Sequence, residues 1–316
     1  MLHFFTATSA LTKFSTLTTS PNSHPAPILP GLAMALVGTL AFSGKAIIVK
    51  LAYRYGVDAV TLIMYRMLFA LPVFVGMAWW ASRGQAPLAR KDWVAIGLLG
   101  FSGYYLASFL DFLGLAYISA SLERLILYLN PTIVMLLGLV LFKRRTTRKQ
   151  MLGMTISYCG VVLVFGHEIT LEGKDAVLGA ALVFASAVSY ALYLVYSGEM
   201  VKRIGSLRLV GLASTVACLC CLLQFALLRP LAAAVVVPEV IWLSLLNASV
   251  CTVLPVLLIM LAIERVGAAM TAQVGLVGAM STILMGVVIL GEPFTLWVAA
   301  GTVLVLAGIY VFSQSK

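Results

Sequence analysis

Between residues 30 and 314 the chain is almost continuously apolar, and it divides into ten stretches of 17 to 24 residues: 30–52, 58–80, 93–115, 119–142, 151–167, 177–198, 206–228, 240–263, 267–290 and 293–314. A hydrocarbon core of about 30 Å is crossed by about 20 helical residues. In lipid the backbone polar groups must be satisfied internally, which a helix does alone and strands do only as a closed barrel of shorter, alternating segments. These runs are neither short nor alternating. The expected fold is therefore an all-α integral membrane protein with ten transmembrane helices. Composition agrees, since 62% hydrophobic and 10% charged residues leave too little polar surface for a soluble domain or a disordered chain. The boundary least visible in the pattern lies within 93–142 and is set at Tyr117–Ser121, where Asp111, Glu123 and Arg124 interrupt the apolar character.

Residues 1–29 are rich in Ser and Thr, carry Lys13 and no acid, and lack an apolar core with a cleavage site. They read as a disordered cytoplasmic tail outside the fold. The formal net charge of +10 would suggest nucleic acid in a soluble protein; here it sorts by loop. With the amino terminus inside, fourteen basic residues fall on inner segments: Lys13, Arg83, Arg90, Lys91, Lys143, Arg144, Arg145, Arg148, Lys149, Lys202, Arg203, Arg208, Arg265 and Lys316. Only Lys50, Arg54, Lys174 and Arg229 fall on outer loops. The positive-inside bias puts both termini in the cytoplasm, with the protein in a bacterial cytoplasmic (inner) membrane. The dense KRRTTRK run at 143–149 reads as a topology determinant, and no nucleic-acid partner is expected.

Shifting the chain on itself by 148 residues aligns Ala120 with Ala268, Leu136 with Leu284, Gly138 with Gly286, Thr147 with Thr295, Gly153 with Gly301 and Gly160 with Gly308. The same ungapped shift superposes the span boundaries and sets the break at Tyr117–Ser119 opposite Arg265–Gly267, where a second turn is expected. Two five-helix repeats follow, 30–167 and 177–314. An odd number of spans inserts the second upside down, and such inverted-topology repeats are the mark of secondary transporters that alternate access around a central site.

The stretch LAYISASLERLILYLNPTIVMLLGLVLF (115–142) and the closing LGEPFTLWVAAGTVLVLAGIYVF (290–312) resemble the EamA-type family of the drug/metabolite transporter superfamily. The resemblance covers about residues 31–313, and the Gly-Glu turn before a Gly-rich last helix is its most specific piece. The first half departs from it, with Arg144 where the second has Glu292. The resemblance implies ten helices, export of small metabolites and no bound cofactor. It does not fix the solute.

Lys45, Arg66, Asp111, Glu123 and Arg124 lie inside expected spans, where an ionised group costs roughly 2.5–3.5 kcal/mol by insertion scales. At 1.5 Å per residue they all fall about 6–10 Å from the outer ends. The 148-residue shift maps them onto Tyr193, Ser214, Ile259, Thr271 and Ala272, so the ions belong to the first repeat alone. Two readings compete. In one, Lys45 or Arg66 pairs with Asp111 or Glu123 to lock helices or close an outer gate, with Glu123 and Arg124 snorkelling to the interface. In the other, Lys45 and Arg66 attract an anionic group of a small-molecule solute, and Asp111 or Glu123 takes an amine or a coupling proton.

Asn130–Pro131 in mid-helix removes a backbone donor and frees the carbonyl of Leu127; Pro72 and Pro255 are expected to kink their helices in the same sense. Tyr104, Tyr128 and Tyr190 lie too deep for an interfacial belt and, with Tyr193, are candidate cavity-lining residues, as is Gln273; Asn247 and Thr252 are weaker candidates. Gly275 and Ala279 form a small-residue face for close helix packing.

Other signals fail. GTLAFSGKA (38–46) lacks the spacing and the Ser/Thr of a phosphate loop. Cys159, Cys218, Cys220, Cys221 and Cys251 all sit in spans, read as reduced apolar packers, and have no zinc spacing, so neither metal nor cofactor is expected. His3, His24 and His167 are expected outside the spans, and there is no Gly-x-Ser-x-Gly elbow. The leading reading is a non-enzymatic metabolite exporter that works in membrane lipid. The alternative is an intramembrane lipid-modifying enzyme with Asp111 and Glu123 as acid and base. A channel would need a filter-like segment, which the sequence lacks.

Overall fold

The computed structural model describes residues 28–142, 147–172, 174–275 and 277–313. The Lys143–Arg145 part of the basic run, with Arg144, lies outside them, as do residues 1–27 and Lys316. All regular structure among the described residues is helical. In order, the elements are α1 (Ile28–Tyr53), α2 (Ala59–Ser82), α3 (Arg90–Leu99), α4 (Ala107–Leu115), α5 (Ala120–Leu127), α6 (Asn130–Phe142) and α7 (Arg148–Glu172). They continue with α8 (Lys174–Ile204), α9 (Ser206–Leu228), α10 (Pro238–Ala248), α11 (Leu254–Gly275), α12 (Val277–Met285) and α13 (Leu296–Ser313). Eight runs are long and apolar enough to cross a membrane, and two shorter apolar segments, Met280–Leu290 and Leu296–Phe312, accompany them. Trp79, Trp80, Trp242, Leu227 and Val288 stand on the outside, the arrangement expected of a bundle whose solvent is lipid.

Polar caps set the helix starts. Asp58 accepts from Val60 N and Thr61 N to begin α2, and Ser119 Oγ accepts from Leu122 N to begin α5. The expected boundary at Tyr117–Ser119 is therefore real. Its counterpart at Arg265–Gly267 is not a turn, because α11 runs through it to Gly275. The residue equivalent to Ser119 under the 148-residue shift is Gly267, which has no side chain with which to cap a new helix, and one interior Gly costs only about 1 kcal/mol.

Three helices loosen into π-helical segments: Gly100–Leu106 between α3 and α4, Ser249–Val253 between α10 and α11, and Gly286–Leu290 after α12. Pro255 follows the second of these, where the wider turn absorbs its missing donor; Pro72 is accommodated inside α2. Asn130–Pro131 produces a full break. Helix α5 ends at Leu127 and α6 restarts at Asn130, with Pro131 in the first turn and Leu129 O accepting from Thr132 N, Ile133 N and Thr132 Oγ1. His167 lies within the last turns of α7 with its ring against Trp297, which corrects the expectation that it falls outside the spans.

The bundle is organised by four helix pairs: α1 with α11, α2 with α9, α4 with α8, and α7 with α13. Glycines bring their backbones together. A Cβ on Gly153 would lie 2.5 Å from Gly308 O and one on Gly160 2.6 Å from Gly301 O, so α7 and α13 cross antiparallel in direct backbone contact. Gly31 meets Val266 and Arg265, while Gly179 meets Tyr117 and Ile118. The close approach expected at Gly275 is found instead at Gly278, against Thr39 and Ser43; the space beside Gly275 is open.

Candidate functional site

The turn between α4 and α5 carries two carboxylates to one cation. Asp111 ends up on one side of this turn and Glu123 in the first turn of α5 on the other, where the helix dipole favours an anion. Lys45, on α1, reaches both: its Nζ donates to Asp111 Oδ2 at 2.5 Å and lies 3.2 Å from Glu123 Oε1. Helix α1 can sit this close to the π segment of α10–α11 because Gly44 lacks a side chain; a Cβ there would be 3.2 Å from Cys251 Sγ. Glu123 is 0% exposed and Arg124 4%, so neither snorkels to an interface. The ion network of the first reading is present, with Lys45 at its centre.

Arg124 flanks the same group. Its guanidinium and Lys45 Nζ both lie over the Phe42 ring, at 5.4 and 5.6 Å, and Arg124 Nη2 makes long 3.5 Å contacts to Phe42 O and Ser43 O. Arg66, on α2, is placed differently. Its Nε donates to Thr252 Oγ1 at 2.9 Å, its guanidinium lies 5.0 Å from the Phe112 ring centre, and Nη1 has no hydrogen-bond partner. Thr252 Oγ1 donates in turn to Asn247 O. Tyr53 Oη donates to Phe112 O at 2.5 Å, fixing the backbone beside Asp111. Nearby, Ser43 Oγ donates to Thr39 O and Gly278 O, and Thr282 Oγ1 to Ser43 O and Gly278 O, so α1 and α12 share a polar seam.

The tyrosines form two separate structures. Tyr104 and Tyr193 join hydroxyls at 3.1 Å across an edge-on ring pair, and Tyr190 stacks on Tyr193. The Tyr193 ring presses on the π segment, where a Cβ on Gly103 would lie 2.3 Å from it. Tyr104 and Tyr193 thus find partners in each other. Tyr128, at the α5–α6 break, donates to Gly275 O at 2.6 Å and ties that break to the end of α11. Asn130 is half-buried with Oδ1 unpartnered. The side chain of Gln273 lies outside the described residues. The cysteines among them are free thiols, with Cys218, Cys221 and Cys251 buried as expected of apolar packers and Cys159 exposed.

Several contacts that matter were not read from the sequence. Glu292, in the turn before α13, accepts from Ala120 N at 2.7 Å, Ser121 N at 3.3 Å and Ser121 Oγ at 2.9 Å, so its carboxylate caps α5 from the other half of the chain. Gly291 makes this turn in the left-handed region (φ 75°), and Gly286 leaves room, since a Cβ there would lie 2.8 Å from Glu292 Oε2. Arg54 Nη2 donates to Leu290 O and Lys50 Nζ to Ile118 O, both at 2.7 Å. Asp58 pairs with Arg229 at 3.1 Å. The Glu292, Arg54 and Asp58 contacts thereby lace the two halves together at one end of the bundle. At the opposite end Asp92 pairs with Arg203 at 2.8 Å, and Arg208 donates to Ser82 Oγ and Ala86 O. Lys50, Arg54, Arg203 and Arg208 were legible only as loop charge; the visible hint for Glu292 was the Gly-Glu turn itself.

Comparison with known proteins agrees with this architecture. Residues 29–166 and 177–314 each match the EamA-like transporter family. The chain is 31% identical over 277 residues to "Uncharacterized transporter YcbK" of Bacillus subtilis (strain 168), covering 83% of this chain and 86% of that protein. It is 25% identical to an "Uncharacterized transporter" of Archaeoglobus fulgidus, covering 88% and 95%. A crystal structure superposes with a TM-score of 0.59 at 17% identity, covering 89% of this chain and 95% of that one, which shows the fold alone.

Proposed function

Because the chain belongs to the EamA-like transporter family, we propose that it is a secondary transporter that exports small metabolites or amino-acid-like solutes by alternating access. In this reading it sits in a bacterial cytoplasmic membrane with both termini in the cytoplasm, and residues 30–167 and 177–314 are inverted five-helix repeats that together cross ten times. The solute site is the buried polar region around Lys45, Arg66, Asp111, Glu123, Arg124 and Asn130, walled by Tyr104, Tyr128, Tyr190 and Tyr193.

The observation that carries the reading is the symmetry of the packing. Under the 148-residue shift, the contact of Gly31 with Arg265 and Val266 becomes that of Gly179 with Tyr117 and Ile118. The contact Gly153–Gly308 becomes Gly301–Gly160 in the same way. The α1–α11 pair exchanges with α4–α8, while α2–α9 and α7–α13 each map onto themselves. Antiparallel partners that are each other's equivalents are what a two-fold axis in the membrane plane generates, and exchange of the two halves' conformations then swaps the open side. The lacing at the Glu292 end, against a separate set of ion pairs at the Asp92 end, supplies contacts that such exchange would break and remake in turn.

The lipid-modifying alternative loses ground, because Asp111 and Glu123 are both committed to Lys45 and so are poor candidates for an acid and a base on substrate. A screen of cells overexpressing the protein against toxic analogues of amino acids and nucleosides should reveal export-dependent resistance. Proteoliposomes should then show saturable flux with counterflow of the solute so identified. Non-saturating flux without counterflow would argue for a channel, and product formation in detergent for an enzyme.

A further inference from the structure

The five ions that the sequence places deep in the first repeat are all buried, and they do not balance. Three are cationic (Lys45, Arg66, Arg124) and two anionic (Asp111, Glu123). Lys45 takes both carboxylates within 3.2 Å, and Arg124 shares the Phe42 ring with it, so these four make a neutral group. Arg66 is left over. Among the described residues no carboxylate lies within 4.0 Å of it, although it is only 5% exposed and lies on a helix that crosses the membrane. A buried cation with no counter-ion in contact is unfavourable, and an orphaned buried polar group in a native structure calls for an explanation such as a ligand, ion or water.

The surroundings of Arg66 are built for a partner. Thr252 accepts from Nε and holds the guanidinium's inner edge, while Nη1 remains unpartnered. Thr252 is in turn held by the carbonyl of Asn247, five residues earlier across the π segment, which turns 247 and 252 toward the same side of the α10–α11 unit. The Asn247 side chain is 1% exposed with both Oδ1 and Nδ2 unpartnered, and Ser244, one turn earlier, is fully buried with Oγ unpartnered. An arginine fork with a second N–H donor matches a carboxylate; an amide oxygen and a hydroxyl beside it match a donor on the neighbouring carbon.

We propose that Arg66, steadied by Thr252 and joined by Asn247, is the receptor for the carboxylate of a monoanionic solute, and that Lys45 is not. This rests on the transporter reading above and names the charged group its solute carries. The sequence alone put Lys45 and Arg66 in the same role; the structure separates them. Lys45 is already neutralised, and an anion added there would face Asp111 and Glu123. At Arg66 one negative charge restores neutrality. A dianion would overshoot it.

The probe is propionate, compared with propionamide and with chloride at equal ionic strength, and the readout is the melting temperature of the purified full chain in nanodiscs. Propionate should raise Tm with a saturable dependence, whereas propionamide and chloride should not. Arg66→Met should abolish the increment, and Asn247→Ala should raise the half-saturating concentration about tenfold, the effect of losing one hydrogen bond to a charged group. If Arg66→Met does not purify as a monodisperse protein, Asn247→Ala decides. The proposal is overturned if propionate gives no increment, if chloride gives the same one, or if the increment survives unchanged in the variants. Because the measurement involves no flux, a failure here with export intact discards the carboxylate receptor and leaves the transporter reading standing. Loss of export activity in the resistance screen with binding intact does the reverse.

Discussion

Lys45 is surrounded by two carboxylates that would repel each other without it, so its removal is more damaging than removal of the whole group. Breaking a buried ion pair by deleting one partner costs about 3–5 kcal/mol, whereas replacing every member by neutral groups of similar shape is often close to neutral. Lys45→Met should therefore lower Tm sharply, and Lys45→Met combined with Asp111→Asn and Glu123→Gln should recover most of the loss. If the triple variant is no more stable than the single one, the three groups are not the coupled unit described. Asp58 gives a pH-dependent counterpart outside the spans. Burial raises its pKa, but hydrogen bonds from the Thr61 hydroxyl and backbone, with the Arg229 guanidinium, outweigh this and hold the carboxyl below its usual range. A lowered folded-state pKa stabilises the fold above the unfolded value of about 3.9, and that contribution fades as pH falls through the lower folded value. Asp58→Asn should accordingly be less stable than the parent at pH 7, with the gap closing in acid; a gap independent of pH would show that the charge is not its source. Both carboxylates of the Lys45 group, with Arg66 and Arg124, were visible in the sequence as costly charges, whereas the buried Asp92 and Arg208 were not. Which cation held which carboxylate was not, because the pairing depends on how α1 meets the α4–α5 turn.

At the scale of elements, the outstanding feature is a helix capped by the other half of the chain. Glu292 supplies three acceptor contacts to the start of α5, and Gly286 is small enough to leave the carboxylate in place. Glu292→Ala should destabilise the fold by about 1–3 kcal/mol, the range for hydrogen bonds to a charged group. Gly286→Ala should reproduce part of this by displacing the carboxylate, and should add little in the Glu292→Ala background. Full additivity in a double-mutant cycle of Tm values would refute the cap. The π segment at Gly100–Leu106 offers a similar test. Gly103→Ala drives a Cβ into the Tyr193 ring, an overpacking that costs about 1–3 kcal/mol. Pairing it with Tyr193→Leu should return part of that loss, and no recovery would mean that the strain lies elsewhere. Helix identities and most boundaries followed from the apolar runs, while the caps at Asp58 and Ser119 were not read from the sequence. The π segments did not follow, since one extra residue per turn leaves no mark in hydropathy; and Arg265 with Gly267, which suggest a turn, do not make one without a capping side chain, so α11 runs on through Gly267.

At the scale of the whole molecule, the proposed two-fold relation of the halves predicts that equivalent substitutions have equivalent costs. Gly153→Ala and Gly301→Ala each drive a Cβ against a backbone carbonyl, at 2.5 and 2.7 Å, that cannot move without shifting a helix. Each should lower Tm by a similar amount. A large loss for one and none for the other would count against the two-fold relation of α7 and α13.

The sequence by itself determined the solvent of this protein, its helical class, its two-part organisation and the residues whose charge is expensive in lipid. Those properties are set by the length of apolar runs and the free energy of burying an ion, and both are local. Tertiary structure alone decided that Lys45 touches both carboxylates while Arg66 touches neither, that Tyr104 and Tyr193 satisfy each other, and that Glu292 caps a helix 172 residues away in sequence. Each of these depends on which backbones can approach within a few ångströms, at Gly44, Gly103 and Gly286, and that is a property of the packed bundle rather than of any one segment.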